Sequence, residues 1–218
     1  MKRTGKMIVI MAALLLCVAG SASAFRVVVC TDGLERTNSL DKSYEYDDTG
    51  TLLSTFEDPF PESHLRWQDM EMANDGMLYL PSNTYANVYQ WDSSDGSYQG
   101  VFANSDYKTR IRYPGDAVFS ADGSTYYVLS ESATYGVARY NGVTGAFIDK
   151  FIAQDGTGAG MTVGPNGNIF ITTSGGAVQE YSAATGAKIQ DFAGGYGTWT
   201  NEPQWHDGDL YFTQGNRS

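Results

Sequence analysis

The 218-residue chain reads as all-β, assembled from about four copies of one small unit. Three observations say so. Tyr46, Trp91, Tyr140 and Tyr181 occupy the same place in a recurring pattern, and each is followed by a phenylalanine: Phe56, Phe102, Phe151 and Phe192. Gly76, Gly123, Gly167 and Gly208 each follow Asp or Asn and open an aromatic-rich run, as in Leu210-Tyr211-Phe212. The aromatic markers recur roughly every 40 to 50 residues, the size of one four-stranded propeller blade. Evenly spaced short strands also describe a β-sandwich, but sandwich strands are not copies of one another. The expected fold is therefore a β-propeller of four-stranded antiparallel blades.

Residues 1–24 read as a leader. Lys2, Arg3 and Lys6 precede an apolar stretch from Met7 to Val18, and Ala22-Ser23-Ala24 is a small-residue cleavage site. Cleavage is expected between Ala24 and Phe25, giving a secreted or periplasmic protein. The apolar stretch is short for a membrane span, and no second one exists. Leu16 stands before Cys17 where a lipoprotein signal needs a small residue, so lipid attachment is not expected.

Residues 25–218 form the repeats, in approximate units 25–76, 77–123, 124–167 and 168–208, with a partial strand over 209–218. Strands of a blade are lettered a to d from the channel outward. Phe25 to Cys30 takes a b position, Ser43 to Asp47 a c position and Leu52 to Phe56 a d position. Their β-branched and aromatic residues suit a pleated, half-buried surface. The polar patch between c and d ends in glycine, which accepts positive φ, and so makes a hairpin. Within each later unit, a and b meet at the Asp-Gly or Asn-Gly turn, whose twist matches the flanking strands. After three full units come only an a strand (Pro203 to His206) and a b strand (Leu210 to Thr213). Closing that a strand onto the first b, c and d would give a four-bladed ring with a duplicated b strand. The favoured expectation is an incomplete or truncated ring with an exposed blade face and edge, surfaces suited to self-association.

The net charge is −11, and loss of the leader takes three positive charges and no negative ones, leaving −14. Such a surface repels nucleic acid and anionic membranes. With 13% aromatic and only 18% charged residues, the chain has the means to build a packed core. Cys30 is the sole cysteine after Ala24 and lies in an apolar run, as a small buried hydrophobe would.

The segment Val137-Ala-Arg-Tyr-Asn-Gly-Val-Thr-Gly-Ala-Phe-Ile148, with Phe151 after it, resembles the repeat of secreted bacterial propellers of the NHL, TolB-like and streptogramin-lyase-like groups. Pro114 to Gly123 resembles the proline-to-Asp-Gly strand of those repeats and of the YVTN/WD40-like class. The resemblance covers nearly all of residues 25–218. It implies a six- or seven-bladed ring with ligands at the channel mouth, often a binding module and sometimes a metal-dependent lyase or lactonase. The low repeat count departs from that pattern.

Equivalent positions six residues before each a–b turn hold Asp69, Asp116, Gly160 and Asn201. In a propeller they ring one opening. Asp69, Asp116 and Asn201 could offer oxygen ligands to Ca²⁺ or Mg²⁺, or simply solvate the channel. His206, in Trp205-His206-Asp207-Gly208, is the candidate base, and His64 lies in a loop. The Asp92 to Gly96 stretch lacks a full calcium-loop pattern, and Gly156 to Gly160 opens no helix that could hold phosphate. Tyr85, Tyr107 and Tyr135 could serve a protein or carbohydrate interface. No nucleophile, P-loop or dinucleotide motif is present. The leading expectation is a binding or scaffold module without a cofactor; the alternative is a metal-dependent lyase or lactonase acting at the channel mouth.

Overall fold

Side chains alternate across a strand, so a strand with apolar residues at every position must be covered on both faces. In the computed structural model this is the state of the middle strands. It describes residues 11–13, 27–31, 42–57, 59, 69–73, 75–104, 111–132, 134, 136–153, 158–194 and 199–215. All secondary structure there is β: four four-stranded sheets and one two-stranded sheet.

The first sheet orders β1 (Met11–Ala13), β2 (Val27–Thr31), β3 (Lys42–Tyr46) and β4 (Leu52–Glu57). The second holds β5 (Glu71–Met72), β6 (Met77–Pro81), β7 (Asn87–Asp92) and β8 (Tyr98–Asn104). The third holds β9 (Pro114–Phe119), β10 (Thr125–Ser130), β11 (Val137–Asn141) and β12 (Phe147–Ile152). The fourth holds β13 (Gly158–Val163), β14 (Ile169–Thr173), β15 (Val178–Tyr181) and β16 (Lys188–Ala193). β17 (Trp199–His206) and β18 (Asp209–Gly215) form the two-stranded sheet. All pairings are antiparallel between sequence neighbours, so the architecture is a partial propeller. Among the described strands β17 pairs with β18 and not with β2, so they do not take the four-bladed closure. The position beside β2 is taken by Met11–Ala13, from the stretch read as a leader.

The cores lie between the sheets. Leu78 and Leu80 face the first sheet with Phe56, Met70, Tyr89 and Trp91. Tyr79, between them in sequence, faces the third sheet with Val88, Ala117, Tyr126, Val128 and Tyr140. Tyr127 and Leu129 in turn face the fourth sheet with Val137, Ile152, Met161, Ile169, Ile171 and Tyr181.

The two sequence markers thus prove to be the two halves of one interface. Trp91, Tyr140 and Tyr181 face the preceding sheet; Phe56, Phe102 and Phe151 face the following one. Where a neighbour is missing or halved, burial drops. Phe56 is fully buried, whereas Phe192, opposite the two-stranded sheet, is 44% exposed. Phe192 still packs edge-on against Phe170 and Trp205, but β16 is exposed along nearly its whole length.

In the third and fourth sheets the glycine that ends the c–d turn has a second duty. Gly145 and Gly186 lie at φ +66° and +71°, where only glycine is at ease. A Cβ on either would also run into the backbone carbonyl of the preceding blade's phenylalanine, Phe102 or Phe151. Gly50, in the first sheet, has φ +80° but open space around it. Gly50→Ala should therefore cost roughly 1 kcal/mol from backbone strain alone, and Gly145→Ala at least roughly twice that. Urea unfolding of the two variants checks the difference; equal losses would contradict the inter-blade contact.

Candidate functional site

The a strands of the second, third, fourth and fifth sheets converge on one acidic cavity of about 500 Å³. Its lining includes Asp69, Glu71, Asp116, Phe119, Glu202 and Trp205, with no lysine or arginine among the described residues. Phe119, Trp205, Met70, Met161 and Pro203 supply apolar walls.

Asp69 and Asp116, two of the ring positions inferred from the repeat, do meet here. Each serves as a clamp to the next blade. The Ala117 N–H donates to Asp69 Oδ2 at 3.1 Å, and the Met161 N–H donates to Asp116 Oδ2. Ala117 and Met161 each follow a ring position, so the same bond is repeated at successive junctions. The third junction has Gly160 in place of aspartate. A Cβ at 160 would come within 2.7 Å of Glu202 N and 2.6 Å of Pro203 Cδ, so the missing side chain lets β17 pack directly on β13. Asn201, the fourth ring position, pairs with Thr213 in the β17–β18 ladder; its side chain lies outside the described set.

The carboxyls of Asp69 and Asp116 also bond to one another, which requires a shared proton. Burial raises the Asp69 carboxyl above its usual range against the pull of its hydrogen bonds from Asp116, Ala117 and Met70. Burial, then the charges of Asp69 and Glu202, raise Asp116 well above its own. Glu71 and Glu202 are each pushed up to about 8, by burial first and by Asp69 second. Neither glutamate has a hydrogen-bond or ion-pair partner among the described residues.

Glu202 arrives by a distortion. The β17–β18 register shifts between Asn201 and Gln204, and Glu202 sits at φ +49°, a left-handed conformation unusual outside glycine. A bulge of this kind re-aims a side chain, here toward the mouth.

The Trp205 indole N–H, in the lining, lacks a partner among the described residues, and so does the Tyr126 hydroxyl in the core between the second and third sheets. Tyr126 pairs across to Tyr140, just as Leu78 pairs to Trp91 and Ile169 to Tyr181. It therefore carries a hydroxyl where its equivalents are aliphatic. Burial, followed by the charges of Asp69, Glu71 and Asp116, raises its pKa well above the ordinary phenol value.

His206 lines the rim of the same cavity but is exposed, with Nε2 3.4 Å from Asp207 Oδ2 in the hairpin turn. His64, Tyr107, Tyr135, Ala24 and Phe25 lie outside the described residues. Tyr85 is 44% exposed on a turn. Among the described residues, no three His, Cys, Asp or Glu side chains are grouped as a metal centre. Asp69 and Asp116 each give one oxygen to a backbone N–H of the next blade, and Gly160 offers no side chain. Sequence reasoning missed Glu71, Glu202, Tyr126 and Trp205. Glu71 was within reach, since it lies two residues from Asp69 and so on the same strand face.

The fold places the chain among known propellers. It superposes on XC5397, a gluconolactonase from Xanthomonas campestris, with a TM-score of 0.64 at 18% identity, over 87% of this chain and 66% of that one. The WD40 propeller domain of Doa1 matches with TM-score 0.64 at 12% identity, covering 87% and 57%. Virginiamycin B lyase from Staphylococcus aureus matches with TM-score 0.64 at 11% identity, covering 87% and 60%. The chain thus spans less than two thirds of each of these proteins. No sequence-family profile matches the chain, and no curated protein sequence does. Identities this low establish a shared β-propeller fold.

The raised glutamates make stability depend on pH in an uncommon direction. Their folded values, about 8, lie above the ordinary carboxylate range. The folded state therefore holds more protons than the unfolded chain between about pH 4.5 and 8. Their contribution is fully present below that window and is lost as pH rises through it. Urea midpoints should fall from pH 5 to pH 8, and Glu71→Gln/Glu202→Gln should flatten the slope. A slope unchanged in the double variant would contradict the assignment.

Proposed function

We propose that this protein is a secreted or periplasmic binding module whose ligand enters the acidic mouth of the propeller. The observation that carries the reading is the cavity itself: about 500 Å³, walled by four successive sheets, with carboxylates and aromatic side chains converging in it. That volume is in the range of small-molecule sites. The Trp205 N–H, without a partner among the described residues, is a further group that a ligand would satisfy. The leader-like segment supports export. No helix among the described residues is long and apolar enough to cross a membrane.

A competing reading is a metal-dependent lyase or lactonase. It draws on the acidic mouth and on the gluconolactonase and the lyase among the similar folds. It requires Asp69 and Asp116 to give up their bonds to each other. The binding reading uses them as they stand, holding adjacent blades in register.

The two separate in one pair of measurements. In a fragment screen followed by ¹H–¹⁵N NMR, binders should shift the Trp205 indole resonance; hits confined to other surfaces would contradict a ligand in the mouth. Millimolar Ca²⁺ or Mg²⁺ should leave the melting temperature unchanged. Stabilisation that disappears in Asp69→Asn would favour the enzyme.

A further inference from the structure

We propose that two copies of this chain associate head to tail: the face of the fifth sheet turned away from the fourth packs, in a second copy, on the face of the first sheet turned away from the second. The inference is separate from the mouth and its ligand. It starts from the contact that the chain already repeats between successive sheets. There a b-strand aromatic of one sheet meets the c-strand aromatic of the next: Tyr79 shares a core with Tyr140, and Tyr127 with Tyr181. That contact leaves Tyr79 only 1% exposed and Tyr127 only 5%.

Tyr211 holds the same place in β18. Leu210 pairs with Trp205, which packs edge-on against Phe170 of the fourth sheet, so Leu210 lies on the side of the fourth sheet and Tyr211 on the opposite side. There Tyr211 is 57% exposed. The first sheet carries the other half of the contact. Phe56 pairs with Ser43 on the side of the second sheet, so Tyr44 and Tyr46 lie on the other. Tyr46 is only partly buried, whereas its counterparts Trp91, Tyr140 and Tyr181 are fully enclosed. Leu52 pairs with Tyr46 as Tyr98 pairs with Trp91 and Phe147 with Tyr140. Tyr98 and Phe147 pack into the core shared with the preceding sheet, while Leu52 is 49% exposed.

Among the described residues no further sheet covers either face, and each offers what the other lacks. Seating Tyr211 of one copy against Tyr46 and Leu52 of another continues the internal series across two molecules. Packing like face on like face would set Tyr46 against Tyr46, or Tyr211 against Tyr211, an arrangement that no described junction uses. The head-to-tail contact is heterologous, so each pair keeps one face of each kind open to further copies unless the rotation closes. The fifth sheet has two strands where an internal neighbour has four, so the interface is small and the association weak. Each copy carries a net charge of −11, so the apolar contact works against mutual repulsion that salt would screen.

The test is sedimentation velocity of the full chain over roughly 1 to 100 µM, with Leu52→Glu, Tyr211→Glu and an equal mixture of the two. The parent should gain mass as concentration rises, and more so as salt is added. Each substitution alone should weaken association roughly tenfold or more and leave the melting temperature unchanged, since both side chains are exposed. The mixture should recover association as dimers only, because Leu52→Glu keeps the Tyr211 face intact and Tyr211→Glu keeps the Leu52 face intact. A parent that stays monomeric throughout, association indifferent to both substitutions, or loss in one variant alone would overturn the proposal. So would a mixture that stays monomeric, or association that salt weakens.

Discussion

Adjacent sheets share an aromatic contact that runs in both directions, and the rest of the molecule depends on it. The Tyr or Trp of one c strand and the Phe of the preceding d strand enter the same core. Neither sheet could bury its own side chains alone, since each is only one strand-layer thick. Burial is therefore earned pairwise, and a sheet without a full neighbour shows the deficit directly, as Phe192 and β16 do.

That packing brings the inner strands together and creates the acidic mouth. At the first two junctions around it, an aspartate bonds to the next blade's backbone. At the third, a glycine lets the next strand approach without such a bond. The junctions thereby bring carboxyls into low-dielectric surroundings, and protonation is the response of those that lack a counter-charge. The same geometry that stabilises the ring leaves Glu71 and Glu202 without a partner among the described residues, and this links the scaffold to the proposed ligand.

Much of the architecture was legible because repeats expose it. The four aromatic–Phe pairs and the Asp-Gly turns located the strands from β2 onward, since each copy carries the same local chemistry. The ring position of Asp69 and Asp116 followed from counting back from a turn. Three things were hidden. The Gly of each c–d turn was readable as a backbone requirement, but its contact with the preceding blade needs three dimensions. Glu202 reaches the mouth through a register shift that no residue pattern announces. Tyr126 sits beside Tyr127 in sequence; which of them faces the preceding sheet depends on a turn one residue longer than its equivalents, a matter of pairing register and not of residue type.

The reciprocal contact is best tested by comparing the two ends of the series. Phe56 is fully enclosed by the following sheet, and Phe192 faces only half of one. Phe56→Ala should lose about 3 to 5 kcal/mol of unfolding free energy, and Phe192→Ala about 1 kcal/mol or less, measured by urea denaturation under one set of conditions. Losses of equal size at the two positions would contradict sheets that stabilise one another face to face.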